Sequence, residues 1–172
     1  VRKGVPWLLR AMKRRGGQGR LNLVGPVEDG FQSFLERETS DAVNIQGRVA
    51  GEALPAVYAR AGIFCLPSLE EGMRLTLLQA MAAGLAVVVT AAASGGIVEQ
   101  SGAGIVVPPG DADAIADALD RLTGDAELAR EMGLAGRRAG DWGLGRAAGR
   151  RENTIAASDS TDGHGARHSG VR

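Results

Sequence analysis

The 172-residue chain balances 20 basic against 20 acidic side chains, so no global field draws it to nucleic acid or to an anionic membrane. That length suffices for one domain with a real core, or for half of a two-domain protein. No stretch reaches the roughly 18–20 apolar residues of a membrane helix, and no charged-then-apolar leader opens the chain.

The elements follow in alternation from residue 5. Val5, Leu8, Leu9 and Met12 share one helical face in VPWLLRAM, and the basic KRRGG closes that helix. LNLVG (21–25) reads as a strand, EDGFQSFLERE as a helix marked by Phe31, Phe34 and Leu35, and VNIQG (43–47) as the next strand. Leu54, Val57, Tyr58 and Ala61 face one way on a helix before the strand IFCLP (63–67). A turn and an apolar helix then lead to the strand AVVVT (86–90), and GIVVPPG (104–110) is a short strand running into a turn. Two amphipathic helices close the pattern, one on Ile115, Ala118, Leu119 and Leu122, the other on Leu128, Met132 and Ala135.

Apolar strands without polar alternation, separated by amphipathic helices, predict a doubly wound α/β domain with a parallel sheet covered on both faces. That domain is expected over residues 1–140. Residues 141–172 are polar and rich in Gly and Ser, with almost nothing large to bury, and are expected to be a disordered tail. Cys65 lies in the run IFCLP, where a small buried strand residue is the expectation, and one cysteine allows no intrachain disulfide. A reducing cytoplasm is the natural compartment.

Ligands of open α/β sheets bind beyond the carboxyl ends of the strands. The segment PSLEEGMRLTLLQAMAAGLAVVVT (67–90) leaves a strand there and starts a helix, whose unpaired N–H groups and partial positive charge suit a phosphate. Gly72 lets backbone approach a ligand closely. Gln79, about two turns into an otherwise apolar helix, needs a partner: a ligand, or a backbone group if it is a core residue.

This segment resembles the signature of the retaining GT-B glycosyltransferases of group 1, also called family four. Their pattern is Pro-Ser-x-x-Glu-Gly-Phe-Gly-Leu, three residues, then Glu-Ala-Met-Ala-x-Gly-x-Pro-Val-Val. Lys3-Gly4, LNLVG, VNIQGRV, GEALPAVYARAGIFCLPS and GGIVEQSGAGIVVPPGDADAIADAL match in order, so the resemblance covers roughly residues 3–139. It implies a Rossmann-like donor-binding domain, the C-terminal half of a GT-B fold, taking a nucleotide-diphosphate-sugar as substrate with neither cofactor nor metal. By resemblance, Glu71 contacts hydroxyls of the transferred sugar, backbone of Gly72, Met73, Arg74 and Leu75 seats the diphosphate, and Lys3 pairs with its charge. Gln79 takes the place of the family's ribose-binding glutamate, and Gly47 to Val49 border the base. The chain departs from the pattern at Gln79, at Arg74, where the family has Gly or Pro, and at Ala86, where it has Pro.

The family's first strand, with a diphosphate-binding arginine, precedes the lysine, whereas this chain opens on Val1. The resemblance therefore implies a donor-binding half, inactive alone, whose first strand and N-terminal α/β partner domain are missing. Acceptor contacts (glycan, lipid or small molecule) and any peripheral membrane association belong to that other half. Two alternatives stand beside it: a non-catalytic remnant or nucleotide-binding module of the same fold, and an enzyme resembling nucleotide-sugar epimerases. Asp111-Ala-Asp113 has the spacing of a metal-binding pair, but its place before an amphipathic helix favours an N-cap. His164 and His168 lie in a Gly-rich stretch with no third ligand.

Overall fold

The computed structural model describes residues 2–28, 30–70 and 75–152, with the backbone alone for 141–152. Helix α1 (Val5–Arg14) begins with Pro in its first turn and buries Leu8, Leu9, Ala11 and Met12. Its N-cap Gly4 has a φ of 73°, and a Cβ there would lie 2.0 Å from the carbonyl oxygen of Pro67. Only glycine fits both constraints, so the start of α1 sits directly against the end of the third strand.

Strand β1 (Leu21–Val24), helix α2 (Gln32–Glu38) and strand β2 (Val43–Gly47) form the first parallel unit, with Leu21 opposite Val43 and Leu23 opposite Ile45. A 3-10 turn and the short α3 (Leu54–Tyr58) lead into β3 (Ile63–Leu66), α4 (Leu75–Ala82) and β4 (Ala86–Thr90). The short helices α5 (Ala91–Ser94) and α6 (Ile97–Ser101) precede β5 (Gly104–Val107), and the long helices α7 (Ala112–Gly124) and α8 (Ala126–Glu152) follow. All strand pairs among the described residues are parallel.

The strands form two sheets rather than the expected one: β2 beside β1, and β3-β4-β5 with β4 in the middle. Hydrophobic packing alternates through β4 as a two-residue period requires. Ala86 and Val88 face α1 and α7, with Ile115, Leu119 and Leu122. Val87 and Val89 face α4 and α6, with Leu77, Met81 and Val98. The three valines are fully buried, each contributing ~1.5–3 kcal/mol. Leu21 and Leu23 of β1 pack on the same core face as Ile63 and Cys65 of β3, so α1 serves both sheets.

Polar ties fix α1 to α7. The buried Arg15 guanidinium donates to Asp120 at 2.6 Å and to Thr123 at 2.9 Å, and Arg14 donates to Asp117 at 2.7 Å. The run KRRGG thus clamps two helices, besides placing positive charge at a helix end. Asp111 accepts a hydrogen bond from the Ala114 amide and caps α7, as its position suggested, while Asp113 pairs with Arg14. His164 and His168 lie outside the described residues.

Helix α8 lies across α4 with glycine at the contact. A Cβ on Gly133 would meet the Gly84 carbonyl oxygen at 2.2 Å, and one on Gly140 the Ala82 nitrogen at 2.4 Å. The α8 backbone continues to Glu152, past the boundary expected at residue 140. Elongating a nucleated helix is cheap, and Ala and Arg, frequent in GRAAGRRE, are good helix formers. Residues 153–172 of the expected tail lie outside the described residues.

Candidate functional site

The carboxyl ends of β3 and β4 define one edge, and the start of α4 rises from it. Two contacts draw the N-terminal turn to this edge: the Gly4–Pro67 approach, and a hydrogen bond from the Leu69 amide to the Arg2 carbonyl at 2.8 Å. Lys3 lies between those contacts. The structure therefore brings Lys3 together with the segment that leads into the candidate loop, a pairing across more than sixty residues of sequence. Glu71, Gly72, Met73 and Arg74 lie outside the described residues. Leu75 is the first residue of α4, whose eight residues carry Gln79.

Gln79 is half-buried, and its side-chain oxygen accepts a hydrogen bond from the Tyr58 hydroxyl at 3.4 Å. The same hydroxyl approaches the Thr76 carbonyl at 3.5 Å. Both are long, as a shared donor gives. Tyr58 is buried between α3 and α4, against Ala80 and Leu85, and burial raises its pKa, so it stays a donor throughout the neutral range. The amide thus has a partner within the fold. Sequence reasoning did not single out Tyr58 for this, although it is the chain's single tyrosine.

A second unforeseen residue is Thr90, the last of β4. Its hydroxyl donates to the Ser68 carbonyl at 2.5 Å, and both residues are buried. The signal was present in AVVVT: one hydroxyl at the end of a wholly apolar strand needs a partner. Beyond it, Ser94 at the end of α5 donates to Glu99 and accepts from the Val98 amide, which ties α5 to α6.

Cys65 packs against the core from β3 although the residue as a whole is only partly covered, and burial pushes its thiol up to about 12. It is inert packing, not a nucleophile. Two open hollows, one around Arg20 and Asp41 and one around Gly62 and Gly84, lie at the amino ends of the strands. That is the edge opposite the one where such sheets bind ligands. No helix among the described residues is long and apolar enough to cross a membrane.

Residues 1–125 match the family described as glycosyl transferases group 1. The chain belongs to the group 1 glycosyltransferases. It is 34% identical over 148 residues to the MMP alpha-(1->4)-mannosyltransferase of Mycolicibacterium hassiacum, covering 79% of this chain and 35% of that protein. It is also 34% identical over 152 residues to a GDP-mannose-dependent alpha-(1-6)-phosphatidylinositol monomannoside mannosyltransferase of Mycobacterium tuberculosis, covering 79% and 39%. Among solved structures, the sucrose-phosphate synthase of Thermosynechococcus elongatus superposes with a TM-score of 0.75 at 29% identity, over 88% of this chain and 42% of that one. The chain thus spans little more than a third of the length of these curated relatives. Its α/β architecture of parallel strands is that of GT-B glycosyltransferases.

Proposed function

We propose that this chain is the donor-binding half of a retaining glycosyltransferase that moves a sugar from a nucleotide-diphosphate-sugar to an acceptor hydroxyl. The observation that carries the reading is the seating of the Arg2–Gly4 turn against Pro67–Leu69, which puts Lys3 at the edge where α4 starts. In the reaction the bond from the sugar's anomeric carbon to the diphosphate breaks and one to the acceptor oxygen forms. The leaving diphosphate gathers negative charge, so stabilising it is the main catalytic task. The ammonium of Lys3 and the amides at the start of α4 supply that, while Glu71 holds the transferred sugar by its hydroxyls. No metal is required where a lysine and a helix start carry the charge.

The open edges of the two sheets support a further part of this reading. β1 and β3 face one core with α1, and among the described residues neither has a strand on its inner side. A parallel strand from an upstream segment, with the acceptor-binding domain before it, fits between them in the order of a doubly wound sheet. The isolated chain, without an enclosed cleft, is then inactive.

The Tyr58–Gln79 bond favours one rival, a nucleotide-binding module without catalysis, because it gives the amide a role inside the fold. Membership of the glycosyltransferase family favours transfer over the epimerase alternative. The test joins the chain to its in-frame upstream coding sequence and assays it with GDP- and UDP-sugars. Transfer that is abolished by Glu71→Ala supports the enzyme; nucleotide binding without transfer to any of a panel of glycan, lipid and small-molecule acceptors supports the module.

A further inference from the structure

Tyr58 ends α3, and its ring is held from two sides. Ala80 of α4 and Leu85 before β4 pack on it, and Phe64 of β3 meets it edge-on with ring centroids 6.2 Å apart. With the ring so fixed, the hydroxyl has one place to go. It reaches the Thr76 carbonyl at 3.5 Å and the Gln79 side-chain oxygen at 3.4 Å. Helical side chains lean toward the helix start, so the Gln79 amide lies over the turn that holds Thr76. Its carbonyl oxygen is turned inward to the buried Tyr58, although Gln79 as a whole is only half-buried. The group that faces away from Tyr58 is then the amide nitrogen, which carries two N–H donors.

We propose that Tyr58 is a positioning residue for the nucleotide's ribose, holding the Gln79 amide so that its nitrogen donates to the ribose hydroxyl oxygens. This deepens the donor-binding reading and rests on it, and the side chains it invokes are Tyr58 and Gln79 alone. A carboxylate at this place would need no such help, because either of its oxygens accepts. An amide has two unlike ends, and only one of them can meet the ligand. The phenol proton, shared between the Thr76 carbonyl and Gln79, favours the orientation with the carbonyl oxygen inward. A neutral amide suits neutral hydroxyls, which accept from its N–H groups and keep their own protons for other partners. Tyr58 acts through Gln79 and does not itself touch the nucleotide.

On the 172-residue chain, the affinities of GDP and UDP are compared by titration with those of their 2′,3′-dideoxy forms. The wild type should bind the ribo form about tenfold more tightly, the scale of one or two neutral hydrogen bonds. Tyr58→Phe deletes the hydroxyl and keeps the ring, and should cut that preference to about twofold or less, through weaker binding of the ribo form alone. Ile115→Val, a mild destabiliser in the core on α7, should keep the full preference. In the wild type, the Gln79 side-chain N–H signals should shift in NMR spectra with the ribo form and stay in place with the dideoxy form. A preference that survives Tyr58→Phe, equal weakening of both forms by it, a wild type without preference, or unmoved Gln79 signals each overturn the inference while leaving the donor seat standing. A wild-type chain that binds neither nucleotide in either form overturns the donor seat itself, and the inference with it.

Discussion

Gly4→Ala tests the contact on which the site depends. Two costs combine at this position. A φ of 73° places an L-residue in the left-handed region, at ~1–2 kcal/mol. The new Cβ would also lie 2.0 Å from the Pro67 carbonyl oxygen, so either α1 or the end of β3 must move; overlaps of that kind cost ~1–3 kcal/mol. The sum, ~2–5 kcal/mol, lowers the melting temperature by roughly 5–15 °C for a chain of this size. Gly16 provides the control. Its φ is 62°, but nothing lies within 4 Å of an added Cβ, so Gly16→Ala carries the conformational cost alone and should lose roughly 2–6 °C. Thermal melting by circular dichroism distinguishes the two. Equal melting temperatures would refute the close seating of α1 on β3, and with it the placement of Lys3.

Gln79→Glu should tighten nucleoside-diphosphate binding in the upstream-extended protein by ~1–2 kcal/mol, because a carboxylate accepts ribose hydroxyls with charge assistance and keeps the Tyr58 hydroxyl as donor. No gain in a titration, with a lower melting temperature, would show that the amide serves only the α3–α4 contact. Cys65 should react with a thiol reagent at neutral pH only after unfolding, since its thiol is pushed up to about 12; rapid labelling of the native chain would contradict its burial. The hydrogen bond from the Lys13 ammonium holds the Glu38 carboxyl below its ordinary range, so their pairing adds stability above that range and is lost as pH falls through the folded-state pKa. Glu38→Gln should therefore shrink the difference in melting temperature between pH 7 and pH 3, and an unchanged difference would show the exposed pair contributes nothing.

Most of the fold was legible because it is written in local patterns. AVVVT, short and apolar but for its last residue, reads as a strand covered on both faces, and β4 is that strand. Asp111 before an amphipathic helix read as a cap, and it caps α7. What the pattern hid depends on partners distant in sequence. Gly133 and Gly140 look like helix breakers until α4 lies within reach of them, which makes glycine a requirement of packing. Arg15 gave no sign of Asp120, and Tyr58 none of Gln79, because side-chain pairs across a fold leave no spacing to read. The split of the sheet was not legible: alternating strands and helices predict one sheet, and no local pattern shows that LNLVG and IFCLP lie unpaired with each other. The family was legible through a chain of spaced motifs, which a single periodicity could not have supplied.

The most direct measurement is amide-shift mapping of GDP and UDP on the 172-residue chain. A donor seat at the carboxyl ends of β3 and β4 requires shifts at Lys3, Leu69 and the run from Gly72 to Gln79, saturating together with one weak affinity. Silence there, with a response confined to the hollow around Arg20 and Asp41 at the opposite edge of the strands, would contradict the account.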